Sequence, residues 1–189
     1  MMIITKSMEI IKQLQDEDGC TSPYLSLLYG EASKAKNILE VGVLRGRSTR
    51  AMLLGCRDGK EGHITIIDWN KNDLITNVTI PLIKELELLD YLKAWVMMDF
   101  YKLPEIWFKQ NKFDLILVDI EENNNFDELL LKLNLSAESG TKIYMHNTKE
   151  FPRVKSAISK FLKTHPLTYS YNELPQKHGM GILYKLGED

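Results

Sequence analysis

Five short apolar runs, separated by stretches whose apolar residues recur at helical spacing, constrain the fold of this sequence more than any other feature. Strands that alternate with helices in this way build a parallel sheet, because each helix carries the chain back to the same end of the sheet. The centre of the fourth run, residues 115–118, is Leu-Ile-Leu-Val, which is typical of strands buried on both faces. The predicted strands are residues 37–41, 63–67, 94–98, 113–118 and 141–145.

The last part of the chain departs from this alternation. Residues 167–171 and 181–185 are predicted to be two further strands, and the loop between them contains Pro175 and Gly179. This loop is too short to hold a crossover helix, so we expect the two strands to be antiparallel neighbours. The prediction is therefore a Rossmann-like three-layer α/β/α sandwich, with a mostly parallel seven-stranded sheet that ends in a C-terminal antiparallel strand pair.

Length and patterning indicate one unit. A chain of 189 residues fits a single domain, and no repeat, low-complexity tract or Pro/Gly/Ser-rich linker divides it. Residues 1–36 form a predicted helical N-terminal cap that breaks near Asp18 and restarts at Thr21 or Ser22. We expect residues 1–189 to form one domain, with the cap lying over the mouth of the site.

Charge and cysteine content disfavour several classes of partner. Lys and Arg number 24 against 26 Asp and Glu, so the net charge of −2 provides no general cationic surface for nucleic acid. The N-terminus has neither a continuous apolar stretch nor a small-residue cleavage site, so we expect neither export nor membrane insertion. Cys20 and Cys56 form no metal-spaced cluster, which favours a reduced, cytoplasmic setting. The sequence leaves open whether the chain is a monomer or a homodimer.

A strand that runs through two glycines into a helix is the most informative local pattern. Residues 37–41 lead through Gly42 and Gly46 to a helix that begins near Arg47 or Ser48. The glycines remove side chains where a ligand must approach the backbone, and the start of the helix offers free N–H groups to a carboxylate or phosphate. We therefore expect an anionic or polar ligand at this turn.

The second predicted strand is followed by an acid, Asp68. Ligands of open parallel sheets bind beyond the carboxyl ends of the strands, and a carboxylate there can accept both hydroxyl hydrogens of a ribose. A helix cap or a turn is the alternative role for such an aspartate. Together with the glycine turn, Asp68 predicts a ligand that contains a ribose.

The pattern Glu40-x-Gly42-x-x-x-Gly46-x-Ser48-Thr49 resembles the first motif of class I S-adenosylmethionine (SAM)-dependent methyltransferases. The resemblance is to the small-molecule O-methyltransferase-like branch, of the methyltransferase domain family 24 type. It rests on several weak motifs in the same order and covers most of the chain. The further motifs are Asp68, Met98-Asp99-Phe100 with Leu103-Pro104, Phe113 to Asp119, Ser139-Gly140 and Phe151 to Val154.

The resemblance implies a SAM site at the carboxyl edge of the sheet. Asp68 would bind the ribose, and Asp99 or Phe100 would lie beside the adenine, with a surface turn as the alternative role for Asp99. The cofactor-binding residues that the resemblance implies are Glu40, Gly42, Gly46, Ser48, Asp68, Asp99, Phe100 and Asp119.

The chain departs from its relatives where the acceptor would bind. After the fourth strand they often carry Asp-Gly-Asp-His-Ser-Tyr, of which only Asp119 remains, and the usual aspartate after the fifth strand is missing. Metal-dependent relatives bind a divalent ion at positions that here are Asp119, His146 and Asn147. Because Mg²⁺ prefers oxygen ligands, this set suits Mn²⁺, Fe²⁺ or Zn²⁺ better, and SAM without a metal is the favoured expectation.

The resemblance implies transfer of a methyl group to a small-molecule acceptor, most simply to a hydroxyl oxygen. Alignment alone can supply an effective molarity of roughly 10⁵ M or more, so a strong base is not obligatory. We predict His146 as the general base and Asp119 as the second catalytic residue, because imidazole titrates near neutrality and His146 would end a strand that faces the crevice. A hydrogen-bonded structural histidine is the alternative.

Two other functions compete with this one. A catalytically silent SAM-binding module is suggested by the altered acceptor-side residues at 121–125 and at Asn147. A nicotinamide (NAD)-dependent oxidoreductase is disfavoured, because pyrophosphate recognition uses Gly-x-Gly-x-x-Gly whereas this turn has Gly42-x-x-x-Gly46. The remaining histidines, including His178, show no ligand spacing.

Overall fold

The structure, a computed structural model, describes residues 2–17, 19, 21–68, 74–121 and 124–187, with the backbone alone for residues 2–5. Four residues that the sequence predictions used lie outside these described residues: Asp18, Cys20, Glu122 and Asn123.

Within the described residues, seven strands form one sheet, which confirms the predicted fold class. The strands are β1 (Asn37–Val41), β2 (His63–Asp68), β3 (Leu92–Met97), β4 (Phe113–Val118), β5 (Ala137–His146), β6 (Tyr169–Leu174) and β7 (Met180–Lys185). Their order is β3-β2-β1-β4-β5-β7-β6, in which β1 to β5 are parallel and β7 is antiparallel to both of its neighbours. Because the order reverses beside β1, a ligand crevice is expected at the carboxyl ends of β1, β2 and β4.

Helices cover both faces of the sheet. The α-helices are α1 (Met2–Asp16), α2 (Leu25–Ala32), α3 (Arg47–Gly59), α4 (Ile80–Glu85), α5 (Glu105–Gln110), α6 (Phe126–Ser136) and α7 (Pro152–Thr164). A short 3-10 helix, Ser22–Tyr24, lies between α1 and α2. Across the described part of the chain, none of the helices has the length and apolar character needed to cross a bilayer.

Two apolar cores lie between the layers. Successive strand residues face opposite sides of a sheet, so Ile38 of β1 packs into the core formed with α1 to α4, whereas its neighbour Leu39 packs into the core formed with α5 to α7. Both side chains are fully buried. The central strands are thus covered on both faces, as their continuous apolar runs predicted.

Strand β6 lies later in the chain than predicted. It spans Tyr169–Leu174 rather than 167–171, because Leu167 has a left-handed backbone with φ 66° and is 91% exposed in the turn after α7. An apolar side chain in a turn was therefore mistaken for the start of a strand. Strands β3, at Leu92–Met97, and β5, at Ala137–His146, also begin earlier than predicted.

Candidate active site

Two glycines with left-handed backbone angles shape the turn between β1 and α3, with φ 89° at Gly42 and 65° at Gly46. A Cβ on Gly42 would lie 2.1 Å from the backbone oxygen of Asp119, and a Cβ on Gly46 would lie 2.2 Å from Cγ2 of Thr79. These glycines therefore make room for the protein's own neighbouring residues, and the approach of a ligand to them stays a prediction. Contact of the turn itself with a cofactor stays a prediction.

Glu40 lies in β1, one residue before its end, and is fully buried. The Ser48 Oγ lies 2.5 Å from its Oε1, and the Thr49 Oγ1 lies 2.6 Å from its Oε2. Burial raises the pKa of Glu40 to about 8 against the opposing effect of these two hydrogen bonds, and the carboxylates of Asp119 and Asp68 raise it further. At neutral pH, Glu40 is therefore mainly a neutral acid that holds the first turn of α3 onto β1.

The side chains of Glu40 and Ser48 are bonded to each other and closed to solvent, and contact of these two residues with SAM stays a prediction. The backbone of the same turn has N–H groups that are able to bind a ligand. The first helical hydrogen bond of α3 runs from the Arg50 N–H to the Gly46 carbonyl at 2.9 Å, so the N–H groups of Ser48 and Thr49 have no carbonyl of their own helix to bind. A helix start of this kind binds anions such as carboxylates.

Asp68 ends β2 and faces the glycine turn. Its Oδ2 accepts hydrogen bonds from the N–H groups of Val43 at 2.7 Å and Leu44 at 3.4 Å. Burial raises the pKa of Asp68, and these two hydrogen bonds oppose the rise. No described residue bonds to Oδ1, which has lone pairs for a ligand's hydroxyl groups. Asp68 thus fixes the turn with one oxygen, and no described residue bonds to the other.

Asp99 and Phe100, which follow β3, have partners within the protein. The Asp99 carboxylate caps a 3-10 helix, Phe100–Lys102, by accepting the Tyr101 N–H at 3.0 Å. This is the turn role that was the alternative for Asp99. The Phe100 ring is buried and packs on Phe108, with ring centroids 5.0 Å apart. The contact of Asp99 or Phe100 with adenine therefore stays a prediction.

Asp119, His146 and Asn147 meet at the ends of the neighbouring strands β4 and β5. Nδ1 of His146 lies 2.8 Å from Oδ1 of Asp119, and the Asn147 amide nitrogen lies 3.4 Å from the same oxygen. The side chain of Asp119 is 21% exposed, whereas the imidazole of His146 is fully enclosed. Asp119 therefore orients the imidazole through Nδ1.

The N-terminal segment lies over this imidazole. The Tyr24 ring meets the His146 ring edge-on, with centroids 5.8 Å apart, and the Tyr24 hydroxyl donates to the Gln176 carbonyl. Arg50, which is buried in α3, holds the chain just after α1 through the Glu17 carboxylate, 3.4 Å away. The imidazole of His146 is thus covered by the N-terminal segment, which also contacts the loop between β6 and β7.

The O-methyltransferase family matches residues 6–157, which is most of the chain. This chain belongs to the O-methyltransferase family. The match includes every cofactor-binding and catalytic residue predicted from the sequence, and it ends within α7. The predicted relationship to class I small-molecule O-methyltransferases is confirmed. No curated protein matches the chain.

Solved methyltransferases share the fold of this O-methyltransferase over nearly its whole length. The O-methyltransferase of Bacillus cereus, solved in complex with S-adenosylhomocysteine (SAH), is 20% identical with a TM-score of 0.65, and the likeness covers 98% of this chain and 91% of that one. The SAH-bound methyltransferase of Podospora anserina is 19% identical with a TM-score of 0.66, over 96% and 88%. The O-methyltransferase of Streptomyces achromogenes involved in tomaymycin synthesis, solved with SAM, is 14% identical with a TM-score of 0.67, over 98% and 90%.

The predicted metal ligands of this O-methyltransferase do not fit a metal ion. Oδ1 of Asp119 is the shared hydrogen-bond partner of His146 and Asn147, so the three side chains point at one another rather than at a common centre. Oδ1 of Asn147 is buried and has no hydrogen-bond partner among the described residues, but one amide and one carboxylate supply few hard ligands. Nor does any group of three His, Cys, Asp or Glu side chains in the described ranges have the arrangement to hold a metal.

His178 lies beside His146, and the sequence motifs did not indicate this position. Strands β5 and β7 are antiparallel with His146 opposite Met180, so residues just before β7 lie beside those just after β5. The rings of His178 and His146 are 6.0 Å apart, and Nδ1 of His178 pairs with the Glu150 carboxylate. The antiparallel pair was predicted, and its register is the feature that could have brought His178 to the site.

Proposed function

We propose that this chain transfers the methyl group of SAM to a hydroxyl oxygen of a small-molecule acceptor and releases SAH. The family match over residues 6–157 carries the proposal. Two local arrangements support it, the N–H groups of Ser48 and Thr49 at the start of α3 and the Oδ1 of Asp68, to which no described residue bonds, and both adjoin the same bend. The SAM and SAH found in the Streptomyces achromogenes and Bacillus cereus relatives support the same cofactor.

Both ends of the cofactor can be held by neighbouring elements. The N–H groups of Ser48 and Thr49 suit the carboxylate of SAM, since a helix start carries about half a positive charge. Oδ1 of Asp68 suits the ribose hydroxyls. Val41 of β1 pairs with Ile67 of β2, and paired strands lie about 4.8 Å apart, so one ligand can make both contacts.

The acceptor would then lie over the ends of β4 and β5, beside Asp119 and His146. A positively charged sulfur is a good leaving group, so the protein must mainly align the reactants and, for a hydroxyl acceptor, remove a proton. Asp119 orients the imidazole of His146 as expected for the predicted base. That imidazole is closed to solvent, however, so the acceptor cannot reach it unless the covering residues move.

Calorimetry and a methyl-transfer assay test this function. The wild-type protein is titrated with SAM, SAH and NAD, and is then incubated with methyl-labelled SAM and a panel of phenols, catechols, alcohols, amines and carboxylates. We expect binding of SAM and SAH but not of NAD, and labelled product with a hydroxyl acceptor. Binding of SAM without transfer to any acceptor would indicate a catalytically silent module, and binding of NAD in place of SAM would overturn the cofactor assignment.

The variant Asp68→Asn tests the cofactor site. The amide keeps the shape of the side chain but removes its charge, so SAM affinity should fall about tenfold or more, the effect of losing one hydrogen bond to a charged group. The matched control is Asp90→Asn, an exposed acid just before β3, which should bind SAM like the wild type. Equal SAM affinity in both variants would show that Asp68 does not hold the ribose.

A further inference from the structure

The hairpin loop before β7 is clamped against the chain that follows β5. The Lys149 N–H donates to the His178 carbonyl at 3.0 Å. Gly179, with φ 81°, has no room for a side chain, because a Cβ there would lie 2.6 Å from Oγ1 of Thr148 and 2.9 Å from the nitrogen of Lys149. Backbone contacts therefore hold His178 at the acceptor side of the site.

Two imidazoles, each with a carboxylate beside its Nδ1, lie next to each other where the loop before β7 meets the chain after β5. His146 pairs with Asp119, and His178 pairs with Glu150. The two rings are 6.0 Å apart with an interplanar angle of 67°. The side chain of His146 is 0% exposed and that of His178 is 22% exposed. A small molecule that enters from solvent therefore reaches His178 first, while His146 lies enclosed with Tyr24 against its ring.

We propose that His178, oriented by Glu150, contacts the acceptor and takes its hydroxyl proton, and that His146 is a positioning residue packed against the His178 ring. This inference rests on the proposed function. The Glu150 carboxylate lies against Nδ1 of His178, and a negative charge beside Nδ1 favours the tautomer that carries its proton there and presents a lone pair at Nε2. No described residue bonds to this Nε2, so it remains available for an acceptor hydroxyl.

The proposed step balances in atoms and charge. The acceptor oxygen forms a bond to the methyl carbon as the bond from that carbon to sulfur breaks, and the electron pair of the broken bond stays on the sulfur of SAH. The hydroxyl proton moves to Nε2 of His178, and Glu150 stabilises the resulting imidazolium. The imidazolium returns the proton to solvent, to which the side chain is partly exposed. The products are the methylated acceptor, SAH and one proton.

The variant His178→Gln tests the proposal with the best hydroxyl substrate among catechol, phenol and 4-hydroxybenzoate. Glutamine keeps a polar side chain but cannot take the proton, so kcat should fall by about 100-fold or more while the SAM dissociation constant stays unchanged. Glu150→Gln should lower kcat by a smaller factor. Free imidazole should restore part of the activity of His178→Ala. The matched control is His63→Gln, an exposed histidine at the start of β2, which should keep the wild-type kcat.

Two results with an active wild type would overturn the proposal. One is an unchanged kcat in His178→Gln. The other is a loss of SAM affinity equal to the loss of kcat, because that pattern indicates a structural role.

Should the wild type bind SAH but methylate no acceptor of the whole panel, the proposed function fails and the contact is tested separately by NMR. The chain has four histidines, so single Gln variants assign their ring signals. Catechol added to the SAH complex should then shift the ring signal of His178. An unshifted His178 signal would overturn the contact itself.

Discussion

The carboxyl group of Glu40 keeps its proton at neutral pH, because burial raises its pKa to about 8. In the unfolded chain the same group ionises near a pKa of about 4.3. At pH values between about 4.3 and 8, the carboxyl group of Glu40 is protonated in the folded protein and ionised in the unfolded chain. The contribution of this proton to stability is therefore complete below about pH 4.3 and is lost as the pH rises toward 8.

Glu40→Gln should remove this pH dependence. The amide can accept the hydroxyl hydrogen of Ser48 and donate to the oxygen of Thr49, so it keeps both contacts with no proton to lose. Urea unfolding between pH 5 and pH 8 should show the stability difference moving in favour of the variant as the pH rises. The control Glu61→Gln, at a side chain that is 71% exposed, should follow the wild-type curve. Parallel curves for Glu40→Gln and the wild type would mean that Glu40 is ionised in the folded protein.

At the residue scale, sequence patterns placed the candidate site residues at one edge of the sheet but did not reveal all of their contacts. Asp68 and His146 were found because apolar runs mark where buried strands end, and polar residues at such ends lie at one edge of the sheet. The side chains of Glu40 and Phe100 are buried in the interior. Whether a side chain is buried in this way depends on contacts between the sheet and the helices, which the order of residues alone does not reveal. His178 required the register of an antiparallel pair, which depends on tertiary structure.

The turn between β1 and α3 is tightly packed against neighbouring parts of the protein. Gly42→Ala would place a Cβ 2.1 Å from the backbone oxygen of Asp119 and would force an alanine to φ 89°. We expect a loss of about 2 kcal/mol or more in the free energy of unfolding, measured in urea. Gly30→Ala in α2 is the matched control, because a Cβ there meets nothing within 4 Å, and it should stabilise the protein by up to about 1 kcal/mol. A Gly42→Ala variant as stable as the wild type would disprove the tight packing of this turn.

The boundaries of the elements were predictable to different degrees. Strands β1 and β4 span the residues predicted, because each lies between two neighbours and has a buried centre. Strand β6 lies at the edge of the sheet, where fewer side chains are buried and the apolar pattern is weaker. Its start was placed at Leu167 because hydrophobicity does not reveal a left-handed turn residue.

For the whole molecule, the order of the strands decides where chemistry can occur. Asp68 faces the start of α3 at the ends of β1 and β2, where we propose that the cofactor binds, and Asp119 meets His146 at the ends of β4 and β5, where we propose that the acceptor binds. The N-terminal segment and the hairpin of β6 and β7 come together above the acceptor side through Tyr24 and Gln176. This division of the edge is the basis for assigning one cofactor and one acceptor to a single crevice.

A crystal structure of the protein with SAH would test this division most directly. We predict that the SAH carboxylate lies at the N–H groups of Ser48 and Thr49, and that its ribose hydroxyls donate to Oδ1 of Asp68. An SAH molecule bound elsewhere, or with its ribose turned away from Asp68, would show that the assignment of the cofactor site is wrong.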